Sequence, residues 1–251
     1  RIAVAHPFVF YVGIDDKNST RYIGNLYQSG LGMPDRDYYL SDDERLKSVR
    51  EKYRVYIKDM LALAGVPNAD RAAENIFALE MKLAKGHWTQ VENRDAEKTY
   101  NRHDLPRLKA LMPAFDWEAF FAGARIPLEK VEAIVVNQPS YLSALNRELA
   151  DTPIEQWRDY MKFRVLNAYA PDLSSAFVNL HFEFNGRTVS GIPSLKPRWR
   201  RGVDTVENAI GDLAGKIYVE RHFSHEAKER MDELVANLVA AYAEGLDALE
   251  W

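Results

Sequence analysis

Six histidines, His6, His87, His103, His181, His222 and His225, are the nitrogen donors available to a metal, and there is no cysteine to supply sulfur. A hydrolytic zinc centre on a helix needs two histidines four residues apart, with a glutamate after the first. That spacing sets both imidazoles on one face and the carboxylate against a metal-bound water. The nearest approach is "HEAKE", His225 to Glu229, whose fifth residue is glutamate, so the second imidazole is missing. His222 lies three residues before His225, but Ser224 between them reads as an N-cap, which places His222 outside that helix. Two partly exposed surface histidines are the simpler expectation.

Other chemistries find less. No G-x-S-x-G occurs to hold a serine nucleophile on a strained turn. Gly30 and Gly32 are followed by Met33 and Pro34 rather than by a helix, so they do not form a phosphate-cradling loop. The acid pairs Asp15/Asp16 and Asp42/Asp43 sit where turns and helix starts are expected, and capping explains them better than proton transfer does. "KPRWRRG", Lys196 to Gly202, is the densest basic stretch. Its arginines beside Trp199 could grip a carboxylate or phosphate, or stack on a base. The competing expectation is pairing with nearby acids such as Asp204 and Glu207. "VENAIGD", Val206 to Asp212, offers a glutamate and an aspartate but no histidine pair to complete a metal site.

The totals narrow the classes further. The 251 residues carry 33 basic and 37 acidic side chains, a net charge of −4, so no global basic field favours nucleic acid or an anionic membrane. Apolar residues at 47% and charged residues at 28% are the proportions of a folded globular protein with a sizeable core. No apolar run approaches the ~18 residues of a membrane span. The opening "RIAVAHPFVFYVGID" lacks the plan of a signal peptide and reads as a strand already under way. The closing "AAYAEGLDALEW" stops on a helix with no capping glycine, so both ends look cut and a piece of a longer protein is expected.

The elements that would position these residues are mostly helical. Pro7 to Val12 and Arg21 to Gln28 read as a β-hairpin, with "DDKNST" as its turn. A helix from about Asp42 to Ala64 has Leu46, Val49, Tyr53, Tyr56, Ile57, Met60 and Leu61 at three–four spacing, and Gly65 and Pro67 stop it. Ala69 to Lys85 aligns Ala72, Ile76, Leu79 and Leu83. Short helices are expected at Leu105 to Met112 and Trp117 to Gly123, and "VEAIVV", Val131 to Val136, is a further candidate strand. "DTPIEQW" predicts a helix capped by Thr152, with Pro153 first and Glu155 closing a capping box. Its expected buried stripe is Ile154, Trp157, Met161, Val165 and Ala168. The last helix, Ser224 to Trp251, aligns Met231, Leu234, Val235, Leu238, Val239, Tyr242 and Leu246, a face that needs a partner. The fold class is therefore mainly α in one main body, with a small β-hairpin and one further short strand.

One stretch is more particular than a connecting loop requires: "QSGLGMPDRDYYL", Gln28 to Leu40. Together with "DDKNS" before it, this stretch resembles the neprilysin family of zinc metallopeptidases. The resemblance continues in order through "ALEMKLAK", "NRDAEKTYN", "FDWEAFF", "PSYLSAL", "RWRRGVDTVENAIGDLAGKIYVERHF" and "LDALEW", over nearly the whole chain. Each motif alone is moderately specific; their collinear order carries the resemblance.

The resemblance implies a two-lobed helical fold that encloses a cavity admitting peptides and excluding folded proteins. The family's H-E-x-x-H and E-x-x-x-D motifs lie downstream of the matched region. Residues 1–251 then correspond to a single domain, a fragment of the N-terminal, cavity-closing lobe, without the catalytic lobe. The implied parent activity is zinc-assisted hydrolysis of short peptides. Zinc belongs to the parent, and this chain is expected to hold no metal, no catalytic residue and no activity of its own. The expected partners are the catalytic lobe of the same polypeptide and peptide substrates, with no nucleic acid and no membrane contact from this segment. The family's usual location implies an extracytoplasmic, periplasmic or secreted protein. Gly202 stands where animal members usually have a disulfide cysteine, which fits a bacterial relative.

Within this frame the quoted loop is expected to serve shape. Gly30 and Gly32 permit unusual backbone angles, Pro34 stiffens the turn, and Arg36 can fork to Asp35 or Asp37. A cavity-facing or lobe-clamping role is a second expectation for Arg36, Asp37 and Tyr39, and likewise for Arg198 and Trp199. A free-standing helical module offering an apolar groove to a partner helix is the alternative function.

Overall fold

The computed structural model describes Val4 and residues 6–250. Arg1, Ile2, Ala3 and Ala5 of the expected opening strand, and Trp251 of the last helix, lie outside the described residues. The chain divides into two compact units, one ending at Ser194 and the other beginning at Leu195.

The first unit opens with strands β1 (Phe8–Asp15) and β2 (Asn18–Gln28), paired antiparallel from Phe8↔Gln28 to Ile14↔Tyr22. The turn is only Asp16 and Lys17, shorter than "DDKNST" predicts, because Asp15 and Asn18 already belong to the ladder. After the loop come α1 (Asp37–Leu40), α2 (Glu44–Leu63) and α3 (Ala69–Gly86). Asp43 caps α2 by accepting from Leu46 N at 3.0 Å. Gly65, at φ +72°, ends it with Val66 N bonded back to Leu61 O. Then follow α4 (Ala96–Thr99), β3 (Arg102–His103), α5 (Leu105–Leu111), α6 (Trp117–Ala124) and β4 (Ile134–Val136).

The sheet order is β1-β2-β4-β3, with β4 parallel to β2 and antiparallel to β3. The strand expected around Val131–Val136 is thus present, and a second short one, β3, pairs beside it. The parallel pairing needs the crossover that α1 to α6 supply.

Helices α7 (Pro139–Asp151), α8 (Ile154–Tyr169) and α9 (Ser175–His181), with a π-helical segment Phe182–Val189, complete this unit. Two expectations for α8 need correction. Thr152 does not cap the helix; its Oγ1 donates to Glu148 Oε2 at 3.3 Å, and Pro153 takes the cap position. Of the expected stripe, Trp157 is buried and Met161 packs half-buried against the core, but Ile154 and Val165 are 63% and 43% exposed, and Tyr160, Phe163 and Arg164 complete the buried face. Aromatic bodies and a paired arginine displace the aliphatic stripe from the core. That core is strongly aromatic: Tyr56 stacks on Phe184 at 4.7 Å between centroids, and Phe8 meets Phe115, Trp117 and Phe120.

The second unit consists of α10 (Arg198–His222) and α11 (His225–Asp247). Ser224 caps α11 as expected, accepting from Ala227 N at 3.1 Å. Neither helix buries a residue, and the apolar face of α11 from Met231 to Leu246 is exposed. Backbone angles at Ile210 (φ −142°, ψ 33°) interrupt α10. Among the described residues no helix is long and apolar enough to cross a membrane.

Candidate functional site: the Gln28–Leu40 loop and its buried carboxylate

The loop lies among α2, α3, α7 and α8, and its backbone is satisfied by its own Tyr39 on α1, by tyrosines of α7 and α8, and by His87 at the end of α3. Gly32 N and Met33 N donate to the Tyr39 hydroxyl at 3.0 and 3.1 Å. Gly30 O accepts from Tyr160 OH at 2.7 Å. Ser29 O accepts from Tyr141 OH at 3.0 Å and lies 3.1 Å from His87 Nε2. Buried polar backbone must be paired, and here buried tyrosines and a histidine do what a sheet or helix would otherwise do.

The two glycines serve different needs. Gly30 has φ +97°, and a Cβ there would meet Pro7 Cα and the Tyr160 hydroxyl, each at 2.8 Å. Gly32 has no positive φ but no room: a Cβ would stand 1.7 Å from the Tyr53 hydroxyl oxygen.

At the centre is Glu80, fully buried on α3. Its Oε2 accepts from Tyr39 OH at 2.7 Å and Tyr53 OH at 2.8 Å. Arg164 of α8 brings Nη1 to 3.8 Å from Glu80 Oε1. Burial pushes the Glu80 carboxyl above the usual range, while Arg164 and the two hydroxyls oppose that rise. Burial, and then the Glu80 charge, push both phenols well above their usual value, so they remain donors. His87 is pushed down to about 4 by burial, helped by Arg36 and opposed by its bond to Ser29 O, so at neutral pH its ring is neutral and Nε2–H donates. These groups are occupied in holding the loop.

The site residues expected from sequence fall in different settings. Tyr39 is completely buried, at the heart of this network. Arg36 does not fork to Asp35 or Asp37; its Nη1 donates to His87 O at 2.6 Å, because the backbone carbonyl at the end of α3 lies within reach. Arg36 and the exposed Asp37 line a cleft of about 250 Å³ with Tyr27, Asp35, Trp88 and Gln90. Arg198 and Trp199 begin α10 in the second unit, and Trp199 is 70% exposed. In the basic stretch it is Lys196 that pairs with Asp204, at 2.7 Å, where the expectation had its arginines do so. Glu80 and Arg164 are not marked by the sequence, and His87 is marked there only as a nitrogen donor for a metal. The available signal was a charge on an apolar face: Glu80 falls within the Ile76–Leu79–Leu83 stripe.

All of residues 1–251 match the family profile for the N-terminal region of peptidase family M13. The chain belongs to peptidase family M13. Endothelin-converting enzyme 1 of Cavia porcellus is 30% identical over 249 residues, covering 97% of this chain and 33% of that protein. The M13 chain also resembles the zinc metalloprotease Zmp1 of Mycobacterium tuberculosis, solved in complex with an inhibitor, at TM-score 0.87 and 38% identity. That likeness covers 100% of this chain and 38% of the Zmp1 chain. PepO of Lactobacillus rhamnosis shares the fold at TM-score 0.75 and 19% identity. The chain therefore spans about a third of the length of such relatives. The neprilysin-like resemblance and the mainly α fold both hold.

Zinc, named for Zmp1, can be tested against the donors of this M13 segment. Among the described residues no three His, Cys, Asp or Glu side chains are placed to share a metal. His225 Nε2 faces Glu229 Oε1 at 3.3 Å, and the His222 ring lies against Tyr218. His87 and His103 each place a ring nitrogen on a backbone carbonyl. As placed, these donors do not fit a zinc centre.

Proposed function

We propose that this chain is the non-catalytic, cavity-closing lobe of a zinc metalloendopeptidase that hydrolyses short peptides. The observation that carries the proposal is the likeness of the entire chain to 38% of zinc metalloprotease Zmp1. The remaining polypeptide would supply zinc, its ligands and the general base. In this reading the lobe restricts substrate size by its shape, and its buried tyrosine–Glu80 network keeps that wall rigid. Arg36 and Asp37 in the cleft, with Arg198 and Trp199 on α10, are the residues we assign to peptide or lobe contact, while Tyr39 clamps the loop from within. The family's usual location makes the parent extracytoplasmic, periplasmic or secreted, in a bacterium.

The apolar faces of α10 and α11 suit packing against the rest of the polypeptide. Burying the seven apolar side chains of α11 from Met231 to Leu246 would contribute roughly 10–20 kcal/mol before entropy is counted. The same exposed face favours a second reading, a free-standing helical module that binds a partner helix. The parent protein separates the two. It should cleave a short fluorogenic peptide, lose activity with a chelator, regain it with zinc, and spare a folded protein of the same sequence content. Absence of chelator-sensitive cleavage in the parent would remove the peptidase reading and leave the module.

A further inference from the structure

The tip of the β1–β2 hairpin carries a motif that the loop network does not use. Asn18, Ser19 and Thr20 form N-x-T, the acceptor triplet for asparagine-linked glycosylation, with the acidic Asp16 two residues ahead. All four residues are exposed. The turn residues Asp16 and Lys17 precede Asn18, which opens β2 opposite Asp15. Thr20 Oγ1 donates to Asn18 Oδ1 at 2.6 Å, and Thr20 N donates to the same oxygen at 3.2 Å. Both bonds engage the amide oxygen. Among the described residues, Nδ2, the atom a sugar would join, has no protein partner.

The tip also has a firm base. Asp15, itself buried, accepts from Lys17 N at 2.9 Å, Tyr100 OH at 2.8 Å and Arg21 Nη2 at 2.6 Å. The triplet therefore projects from a fixed point, and a bulky group on Asn18 would displace nothing buried. Loops and turn tips of this kind are where proteins tolerate additions best.

We propose that Asn18 is a site of asparagine-linked glycosylation. The proposal rests on the extracytoplasmic placement above, since that is where such acceptors meet their transferase. The donor class is an oligosaccharide joined through pyrophosphate to a polyprenol. Asn18 Nδ2 attacks the anomeric carbon of the first sugar, and the C–O bond to pyrophosphate breaks as the C–N bond forms. The amide proton passes to a base of the transferase. Polyprenyl pyrophosphate leaves with the bonding electron pair, and nothing is oxidised or reduced.

The test is mass spectrometry of the tryptic peptide Asn18–Arg21 from the parent protein. One sample comes from the organism that makes it. A second is exported from a host supplying an oligosaccharyltransferase and its polyprenyl-linked oligosaccharide. The expected result is a glycan mass on Asn18 in both samples, lost in Asn18→Gln and Thr20→Val and kept in Thr20→Ser. Unmodified Asn18 in the export host overturns its competence as an acceptor. Modification there but not in the native protein overturns it as a physiological site. Asn18→Gln should cleave peptide as the unsubstituted parent does, so failure of the glycan proposal and failure of the peptidase reading are read from separate assays.

Discussion

The Tyr39 hydroxyl donates to Glu80 Oε2 at 2.7 Å while two backbone amides of its own loop, those of Gly32 and Met33, donate to it. One oxygen thus joins the loop to the buried charge of α3. Tyr39→Phe strands two amides and half of the Glu80 solvation, and should cost about 2–3 kcal/mol in denaturant unfolding. Glu80→Ala leaves Arg164 buried beside two unpaired hydroxyls and should cost about 3–5 kcal/mol. The double variant should cost less than the sum, because both changes break one network. Strict additivity would show that the network is not coupled.

Gly32 is held by space and Gly123 by nothing. Alanine at position 32 puts a Cβ 1.7 Å from the Tyr53 hydroxyl oxygen and 2.6 Å from Tyr53 Cζ. Gly32→Ala should therefore destabilise by at least about 2 kcal/mol, and adding Tyr53→Phe should recover part of the loss. Gly123 lies within α6, where an added methyl would meet nothing within 4 Å, so Gly123→Ala should stabilise by about 0.5–1 kcal/mol. Equal effects at the two positions would contradict this account of the loop.

Acid should weaken the fold in two stages. His87, held down to about 4 by its buried setting, binds a proton more readily unfolded than folded. Its contribution is complete above its unfolded value near 6.5 and is lost as pH falls through about 4, worth roughly 3 kcal/mol over the full span. Asp15 follows. Burial alone would push it up, but Lys17 N, Tyr100 and Arg21 together hold it at about 2. Its contribution is present above the unfolded value of 3.8 and disappears as pH falls through about 2. Unfolding free energy measured from pH 7 to pH 4 should fall for the natural chain and flatten for His87→Gln. An unchanged slope in that variant would assign the dependence to other groups.

Much of this architecture is legible in the residues because helices with one buried face repeat at three to four. Helix α2 buries Val49, Tyr53, Tyr56, Ile57, Met60 and Leu61, six of the seven residues its spacing marks. The same reasoning mistakes α8. Its aliphatic residues suggest one face, but Tyr160 and Arg164 belong inside because Gly30 O and Glu80 wait there from distant parts of the chain. Strand β3, two residues long, is too short to carry a period and exists only through its pairing with β4. The loop's purpose was legible as shape; its partners were not, since Glu80 and Tyr160 are brought to it by tertiary packing alone.

The central claim, that this lobe shapes a peptidase without supplying its metal centre, is most directly tested by counting zinc. The 251-residue chain, confirmed helical by circular dichroism, would be equilibrated with zinc, dialysed and assayed by elemental analysis. The account predicts far less than one zinc per chain, and no cleavage of a fluorogenic peptide by the same sample. One tightly held zinc per chain, with cleavage that a chelator abolishes, would contradict it.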